Sequence, residues 1–275
     1  MNLKEAIELL KNAGVDSPEK DALLLAEHFC GISPVLAKLS PEKDLDFPDF
    51  SAAIYRRAKR EPLQYIIGRW YFMNEEYIVS PDCLIPRSET ELLTEKVIAS
   101  LPKNGALLDL CCGSGCIAIS SLASRSDCSA VAVDLFPATL EIAKKNAELN
   151  SVSNRIEFLK SDVTDARSEK PSKKFDVIVS NPPYIKTDVI KTLEPELAHE
   201  PVQALDGGAD GLIFYRSILS YWTQLLKDGG TVLFEIGYDQ GADLCSIANE
   251  NDMTCEIIKD FSKLDRIAEI RRKTL

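Results

Sequence analysis

The sequence predicts an α/β fold: a doubly wound, seven-stranded, mostly parallel sheet, preceded by a small N-terminal helical bundle and a linking β-hairpin. Three observations carry this. Strand-like and helix-like runs alternate from residue 106 onward. A glycine-bearing turn, Asp109-Leu110-Cys111-Cys112-Gly113-Ser114-Gly115-Cys116, joins the first such strand to the first such helix. The opening stretch, by contrast, holds only helix start and stop signals.

In order, Leu3, Ala6, Ile7 and Leu10 share one helical face over residues 3–13, which stops before Gly14. Ser17-Pro18-Glu19 is a cap with proline at the first helical position, and that helix runs through Leu23 to Cys30 and ends at Gly31. Ser33-Pro34 repeats the start signal, and Phe50 to Lys59 makes another helix. Beyond Pro62 to Gly68, the runs Trp70 to Met73 and Tyr77 to Val79 flank Asn74-Glu75-Glu76 and predict the hairpin, whose aromatics serve to bury it. Ser88-Glu89-Thr90-Glu91 reads as a capping box opening a helix to Ser100.

Strands are then expected at Ala106 to Leu110, Ala130 to Leu135, Ile156 to Leu159, Phe175 to Val179, Thr231 to Ile236, Thr254 to Ile258 and Ile267 to Ile270. Helices fall at Gly115 to Ala123, Ala138 to Leu149, Leu212 to Leu226 and Gln240 to Asn249, while Asp165 to Lys174 is a charged, solvated loop. The expected division is 1–61 for the helical domain, 62–86 for the linker with its hairpin, and 87–275 for the sheet domain.

Composition narrows the function. With 45% hydrophobic and 27% charged residues the 275-residue chain is an ordinary globular protein. Lys and Arg total 32 against 43 Asp and Glu, and the net charge of -11 repels phosphate backbones, so no direct nucleic-acid partner is expected. No apolar stretch reaches the ~20 residues of a membrane helix, and the amino terminus lacks a signal peptide's basic flank and apolar core, so the expected location is cytoplasmic. The eight cysteines show no metal-ligand spacing and are expected as reduced thiols, with no metal site.

Two constellations carry chemistry. Gly113 and Gly115 let the backbone turn and approach a ligand, and Asp134, 21 residues after Gly113 at the end of the next strand, suits the two ribose hydroxyls of an adenosine-containing cofactor. Asp162 after the third strand stands where an adenine amino group would be met, with Val163 against the ring. The same turn also fits a nicotinamide dinucleotide. Asp109 just ahead of it favours a cationic ligand such as S-adenosylmethionine, and neither His28 nor His199 supplies an obvious acid or base for a dehydrogenase. The second constellation, Ser180-Asn181-Pro182-Pro183-Tyr184, follows a buried strand. Its prolines have backbone C=O but no N–H, and Asn181 adds the amide oxygen of its own side group, so the turn is rich in acceptors and suits an -NH2 group.

Asp109 to Gly115, Asp134, Asp162 and Asn181 to Tyr184 resemble the motifs of class I S-adenosylmethionine-dependent amino-methyltransferases, a Rossmann-like fold. More narrowly, Arg60-x-Pro62-Leu63-Gln64-Tyr65-Ile66-x-Gly68, Ile85-Pro86-Arg87-Ser88-Glu89-Thr90-Glu91 and Glu200-Pro201-x-x-Ala204-Leu205-x-Gly207-Gly208-x-Asp210-Gly211-Leu212 resemble the HemK/PrmC family, and the likeness spans nearly the whole sequence. That resemblance implies methylation of the glutamine side-chain amide (N5) in the Gly-Gly-Gln motif of peptide chain release factors, with S-adenosylhomocysteine as coproduct. It implies a cofactor site of Cys111, Cys112, Gly113, Ser114, Gly115, Asp134, Asp162, Val163 and Asn181, and a target site of Asn181, Pro182, Pro183 and Tyr184, with Asn181, Pro182 and Tyr184 catalytic. The helical domain and Pro62 to Gly68 would grip the release factor, and a monomer is expected. Two departures stand out: Cys111 replaces the pattern's first glycine, and Ser262-Lys263-Leu264 lacks a glycine common before the last strand. Alternative readings are methylation of a ribosomal-protein glutamine or of adenine N6, and a non-catalytic protein that binds translation factors.

Overall fold

The computed structural model describes residues 1–45 and 47–273, so the last two residues of the expected 87–275 domain lie outside the described ones. The protein forms two compact units, one of residues 1–69 with 194–199, the other of residues 70–193 with 200–275.

The first unit is helical. Helix α1 (Leu3–Asn12) opens with a capping box in which Asn2 Oδ1 accepts the Glu5 N–H and Glu5 Oε2 accepts the Asn2 N–H. Helix α2 (Pro18–Cys30) ends at Gly31 with φ +65°, as its stop signal predicts. Helices α3 (Pro34–Leu39) and α4 (Pro48–Ala58) follow, and Pro62 to Gly68 contains a short helix, α5 (Leu63–Ile67). Ala6, Leu10, Leu25, Phe50 and Ile54 are buried among them. The unit also holds an ionic knot. The buried Arg57 donates to Asp21 Oδ2 at 2.7 Å and Glu196 Oε1 at 3.0 Å, while Arg60 meets both Glu196 oxygens at 2.6 and 2.7 Å and the Gly14 carbonyl at 2.6 Å. His199 is exposed at the end of the 3-10 turn Pro195–His199.

The second unit begins at residue 70, within the hairpin of β1 (Arg69–Phe72) and β2 (Glu75–Ile78). Phe72 and Tyr77 are buried in edge-to-face contact at 6.1 Å, so these two aromatics fill the core; Tyr71 stays exposed. Helix α6 (Glu89–Ser100) starts where expected, but the capping box is absent. Ser88 has helical φ and ψ, its hydroxyl turns to Glu89, and Glu91 instead accepts the Met73 N–H of the hairpin at 2.7 Å.

The sheet has seven strands: β3 (Ala106–Leu110), β4 (Ser129–Asp134), β5 (Ile156–Lys160), β6 (Phe175–Ser180), β7 (Leu226–Glu235), β8 (Met253–Lys259) and β9 (Asp265–Arg272). Their order is β5-β4-β3-β6-β7-β9-β8, parallel throughout except that β9 runs antiparallel to β7 and β8. Helices α7 (Cys116–Ser124), α8 (Pro137–Leu149), α9 (Ile213–Tyr221) and α10 (Gly241–Glu250) complete the unit, and two apolar clusters form its core. The fold class is the one the alternation predicts.

Besides the absent capping box, two details differ from expectation. The helix expected over 212–226 ends at Tyr221, and β7 starts at Leu226 because Leu226 pairs with Phe175 before the register shifts to Val177 and Thr231. Cys245 of α10 and Cys255 of β8 are disulfide-bonded, with Cα atoms 5.1 Å apart, where reduced thiols were expected. They are 10 residues apart on adjoining elements, so packing α10 on β8 brings them together.

Candidate active site

Parallel strands deliver the site. The C-terminal ends of β3, β4 and β6 lie side by side, with Leu110 paired to Val133 and to Ser180, and Ser180 Oγ donates to the Leu110 carbonyl at 2.6 Å. A cavity of about 450 Å³ opens there, large enough for a nucleoside-sized ligand.

Of the residues singled out in the sequence, Cys111, Cys112, Gly113, Ser114, Asp134, Asp162, Val163, Asn181 and Pro183 line this cavity together. Gly115, Pro182 and Tyr184 are not among its lining residues. Gly115 precedes α7 at φ +80°, and Pro182 is buried. The turn after β3 is left-handed at both Cys111 (φ +59°) and Gly113 (φ +55°). A glycine at the first of these positions would avoid a steric penalty of about 1 kcal/mol, which Cys111 bears.

Asp134 holds that turn. Its Oδ2 accepts the Gly113 N–H at 3.0 Å and its Oδ1 the Phe136 N–H at 3.1 Å, while burial raises its carboxyl above the ordinary range. Asp162 Oδ1 accepts both the N–H and the hydroxyl of Thr164, at 2.8 and 2.6 Å, which fixes the wall at Val163. Behind the turn, the buried Asn146 of α8 donates to the Ser114 and Ile78 carbonyls at 3.0 and 3.1 Å, tying hairpin to turn.

Asp109 is placed otherwise than its position ahead of the turn implied. It is wholly buried, its Oδ2 accepts the Ala118 N–H of α7 at 3.2 Å, and it does not line the cavity. Its Oδ1 has no partner among the described residues, and burial pushes the carboxyl up to about 8. The thiols of Cys83 and Cys116 are pushed to about 11 and about 12 by burial, and those of Cys111 and Cys112 well above the ordinary value. Protonated thiols are poor nucleophiles.

At the other wall, Asn181 donates from Nδ2 to the Thr90 hydroxyl at 3.2 Å. The segment behind it is packed backbone to backbone: a Cβ on Gly207 would stand 2.7 Å from Tyr184 Cα, and one on Gly211 would strike the Tyr184 carbonyl. Gln240 Nε2 donates to that same carbonyl at 3.0 Å and to the Gly211 carbonyl at 3.2 Å. Glycine at 207 and 211 is thus what the Asn-Pro-Pro-Tyr turn leans on. The rim is held by the buried Glu200, which pairs with Arg87 and accepts the Ile85 N–H at 3.2 Å.

Comparison with known proteins adds to this geometry. The model of the PrmC N-terminal domain matches residues 2–68, and that of the methyltransferase small domain matches residues 88–232. A release factor glutamine methyltransferase of Caulobacter vibrioides is 38% identical over 269 residues, covering 95% of this chain and 92% of that one. The chain belongs to the release factor glutamine methyltransferase family. Another relative of that name, from Clostridium botulinum, is 35% identical over 280 residues, 98% of each protein. The solved protein-(glutamine-N5) methyltransferase (release factor-specific) of Alicyclobacillus acidocaldarius is 28% identical, with a TM-score of 0.42 over 72% of this chain and 100% of that one.

Membership in the release factor glutamine methyltransferase family makes this protein a methyltransferase. Residues that sequence reasoning did not place at the site include Thr90, Arg87, Glu200 and Glu235. Arg87, Thr90 and Glu200 lie inside the motifs that carry the family likeness, but their spacing to Asn181 is invisible before folding. Glu235 ends β7 beside Ser180 of β6, where Ser180 pairs with Phe234.

Proposed function

We propose that the protein transfers a methyl group from S-adenosylmethionine to the side-chain amide nitrogen of the glutamine in the Gly-Gly-Gln motif of peptide chain release factors, leaving S-adenosylhomocysteine. The observation that carries this reading is the Asn181 amide: its Nδ2 is committed to Thr90, which leaves Oδ1 to accept from an incoming -NH2 group. It faces the same cavity as the Gly113 turn and Asp134. The activity of the relatives named above, release factor glutamine methyltransferases, supports the substrate.

In this reading Cys111 to Gly115, Asp134, Asp162 and Val163 hold the cofactor, with the Asp134 carboxylate accepting from the ribose hydroxyls. The residues fit it, since Asp134 already anchors the Gly113 amide, Asp162 is held beside Val163, and nothing fills the space over Gly113. The cofactor supplies an electrophilic methyl on a sulfonium. An amide nitrogen is a weak nucleophile because its lone pair is delocalised, so the protein must orient it and stabilise charge. Asn181 Oδ1 and the Pro182 carbonyl accept the two amide protons, and these bonds strengthen as the nitrogen becomes positive. Tyr184 and Pro183 pack against the planar amide. The nitrogen becomes acidic as its new bond forms and loses a proton to water, so no strong base is required.

Residues 1–61 serve as the recognition domain, 62–86 as a linker and 87–275 as the catalytic domain; exposed Val35, Leu36 and Tyr55 offer the first of these an apolar contact surface. The enzyme works as a cytoplasmic monomer. The test is to incubate it with unmethylated release factor and methyl-labelled S-adenosylmethionine and to locate the label by peptide mass spectrometry. Label on the Gly-Gly-Gln glutamine is expected; label on a ribosomal protein or on DNA instead would overturn the substrate.

A further inference from the structure

Behind the cavity wall, β7 ends in Glu235, a carboxylate that is only 2% exposed and does not line the cavity. Its Oε2 has no hydrogen-bond partner among the described residues. A buried carboxylate oxygen left without a partner destabilises the fold, so its retention points to a role. Phe234 pairs with Ser180 across β6 and β7, so Glu235 stands next to Asn181 at the strand ends; the Thr90 hydroxyl and the Asn181 amide lower its carboxyl, with Arg266 of β9 and Glu89 of α6 the charged groups that bear on it. Tyr184, Tyr215 and Cys116 also feel its charge, and the Tyr215 hydroxyl donates to its backbone carbonyl at 2.8 Å.

A primary amide can face a cavity in either of two orientations, with its oxygen or its NH2 group inward. The Thr90 hydroxyl cannot choose between them, because it both donates and accepts. An ionised carboxylate only accepts, and it therefore draws the Asn181 Nδ2 to the inner side. We propose that Glu235 is a positioning residue that selects the orientation of the Asn181 side-chain amide and so keeps Oδ1 turned toward the substrate. The proposal deepens the function proposed above and rests on it for its catalytic consequence.

Protonation undoes the selection. A neutral Glu235 can donate to Asn181 Oδ1, and the flipped amide then presents NH2 to a substrate NH2, donor against donor. Burial raises this carboxyl to about 7, Thr90, Arg266 and Asn181 pulling it down and Glu89 pushing it up, so the switch falls in the neutral range. Activity should accordingly fall as the solution is acidified through that value.

Two readouts test this, the first independent of the substrate. The Asn181 side-chain amide resonances, assigned by their loss in Asn181→Asp, should titrate between about pH 5 and about pH 9 in the wild type and stay flat in Glu235→Gln. The same titration in both proteins, or none in the wild type, would overturn the proposal. In the second, kcat for methylation of the Gly-Gly-Gln glutamine should rise with pH near neutrality in the wild type. Glu235→Gln should lose that limb and fall about tenfold in kcat, with the KM for S-adenosylmethionine within about twofold. A retained limb would count against the role of Glu235, whereas absence of glutamine methylation by the wild type would count against the substrate and leave the resonance test to decide. The amide fingerprint of Glu235→Gln reports whether it folds.

Discussion

Asn181 Nδ2 and Thr90 Oγ1 stand 3.2 Å apart, joining the turn after β6 to the first turn of α6 across 91 residues of sequence. Thr90→Val keeps the shape of that residue and removes its acceptor. The expected result is a fall of about tenfold in kcat, from one lost hydrogen bond, with Thr90→Ser close to wild type. Asn181→Ala removes the substrate's acceptor itself and should lower turnover about 10²- to 10³-fold while cofactor affinity stays within about twofold. Single-turnover kinetics with calorimetric cofactor binding checks both; equal losses in turnover and affinity would move Asn181 into the cofactor site alone.

Asp134 is bonded through both oxygens, to the Gly113 and Phe136 N–H groups. Asp134→Asn must aim an NH2 group at one of these donors. Cofactor affinity should fall about tenfold or more, two donors meeting where an ion accepted. Unchanged binding by calorimetry would remove Asp134 from the ribose.

Gly211→Ala is expected to be among the more damaging small substitutions. Its φ is +77°, and the added methyl would meet the Tyr184 carbonyl backbone. The strain should lower stability by about 1–3 kcal/mol and displace the Asn-Pro-Pro-Tyr turn. Gly31 also has a positive φ, but nothing lies within 4 Å of a Cβ there. Gly31→Ala therefore isolates the backbone penalty, and the difference between the two melting temperatures measures the clash.

Asp109 predicts a pH effect on stability. Burial lifts its folded-state carboxyl to about 8 from an ordinary 3.8. Between those values the folded protein keeps a proton that the unfolded state has released, so this residue's contribution falls as pH rises and is lowest above about 8. Asp109→Asn removes the titration while still offering an oxygen to the Ala118 N–H. Melting temperature should thus decline less between about pH 4 and about pH 8 in the variant. A steeper decline in the variant would contradict the buried, proton-holding carboxyl.

Alternation of runs is a local property, and the sheet, its hairpin and its helices were legible from it. The cavity wall made by Cys112, Gly113, Asp134 and Asn181 was legible for a related reason: strand ends in a parallel sheet converge wherever the runs end. What escaped were choices between partners. Glu91 has the spacing of a capping box, yet it accepts from Met73, because the hairpin offers an unpaired N–H that sequence spacing cannot show. Thr90 bonds Asn181, and Glu235 comes to stand next to it, only after three distant segments fold. Lys227 to Gly230 falls between the expected helix and the expected strand, but a register shift carries the strand through it.

The ion pairs at Glu196 bear on how this architecture can be inherited. The helical unit is encoded in two separated stretches, 1–69 and 194–199, and the second contributes the carboxylate that meets Arg57 and Arg60. A gene fragment ending at residue 69 would leave Arg60 without either of those carboxylate contacts and the buried Arg57 with Asp21 as its remaining ion-pair partner. Recombination that moves the amino-terminal stretch alone therefore parts Arg57 and Arg60 from the carboxylate they share, which travels with residues 194–199.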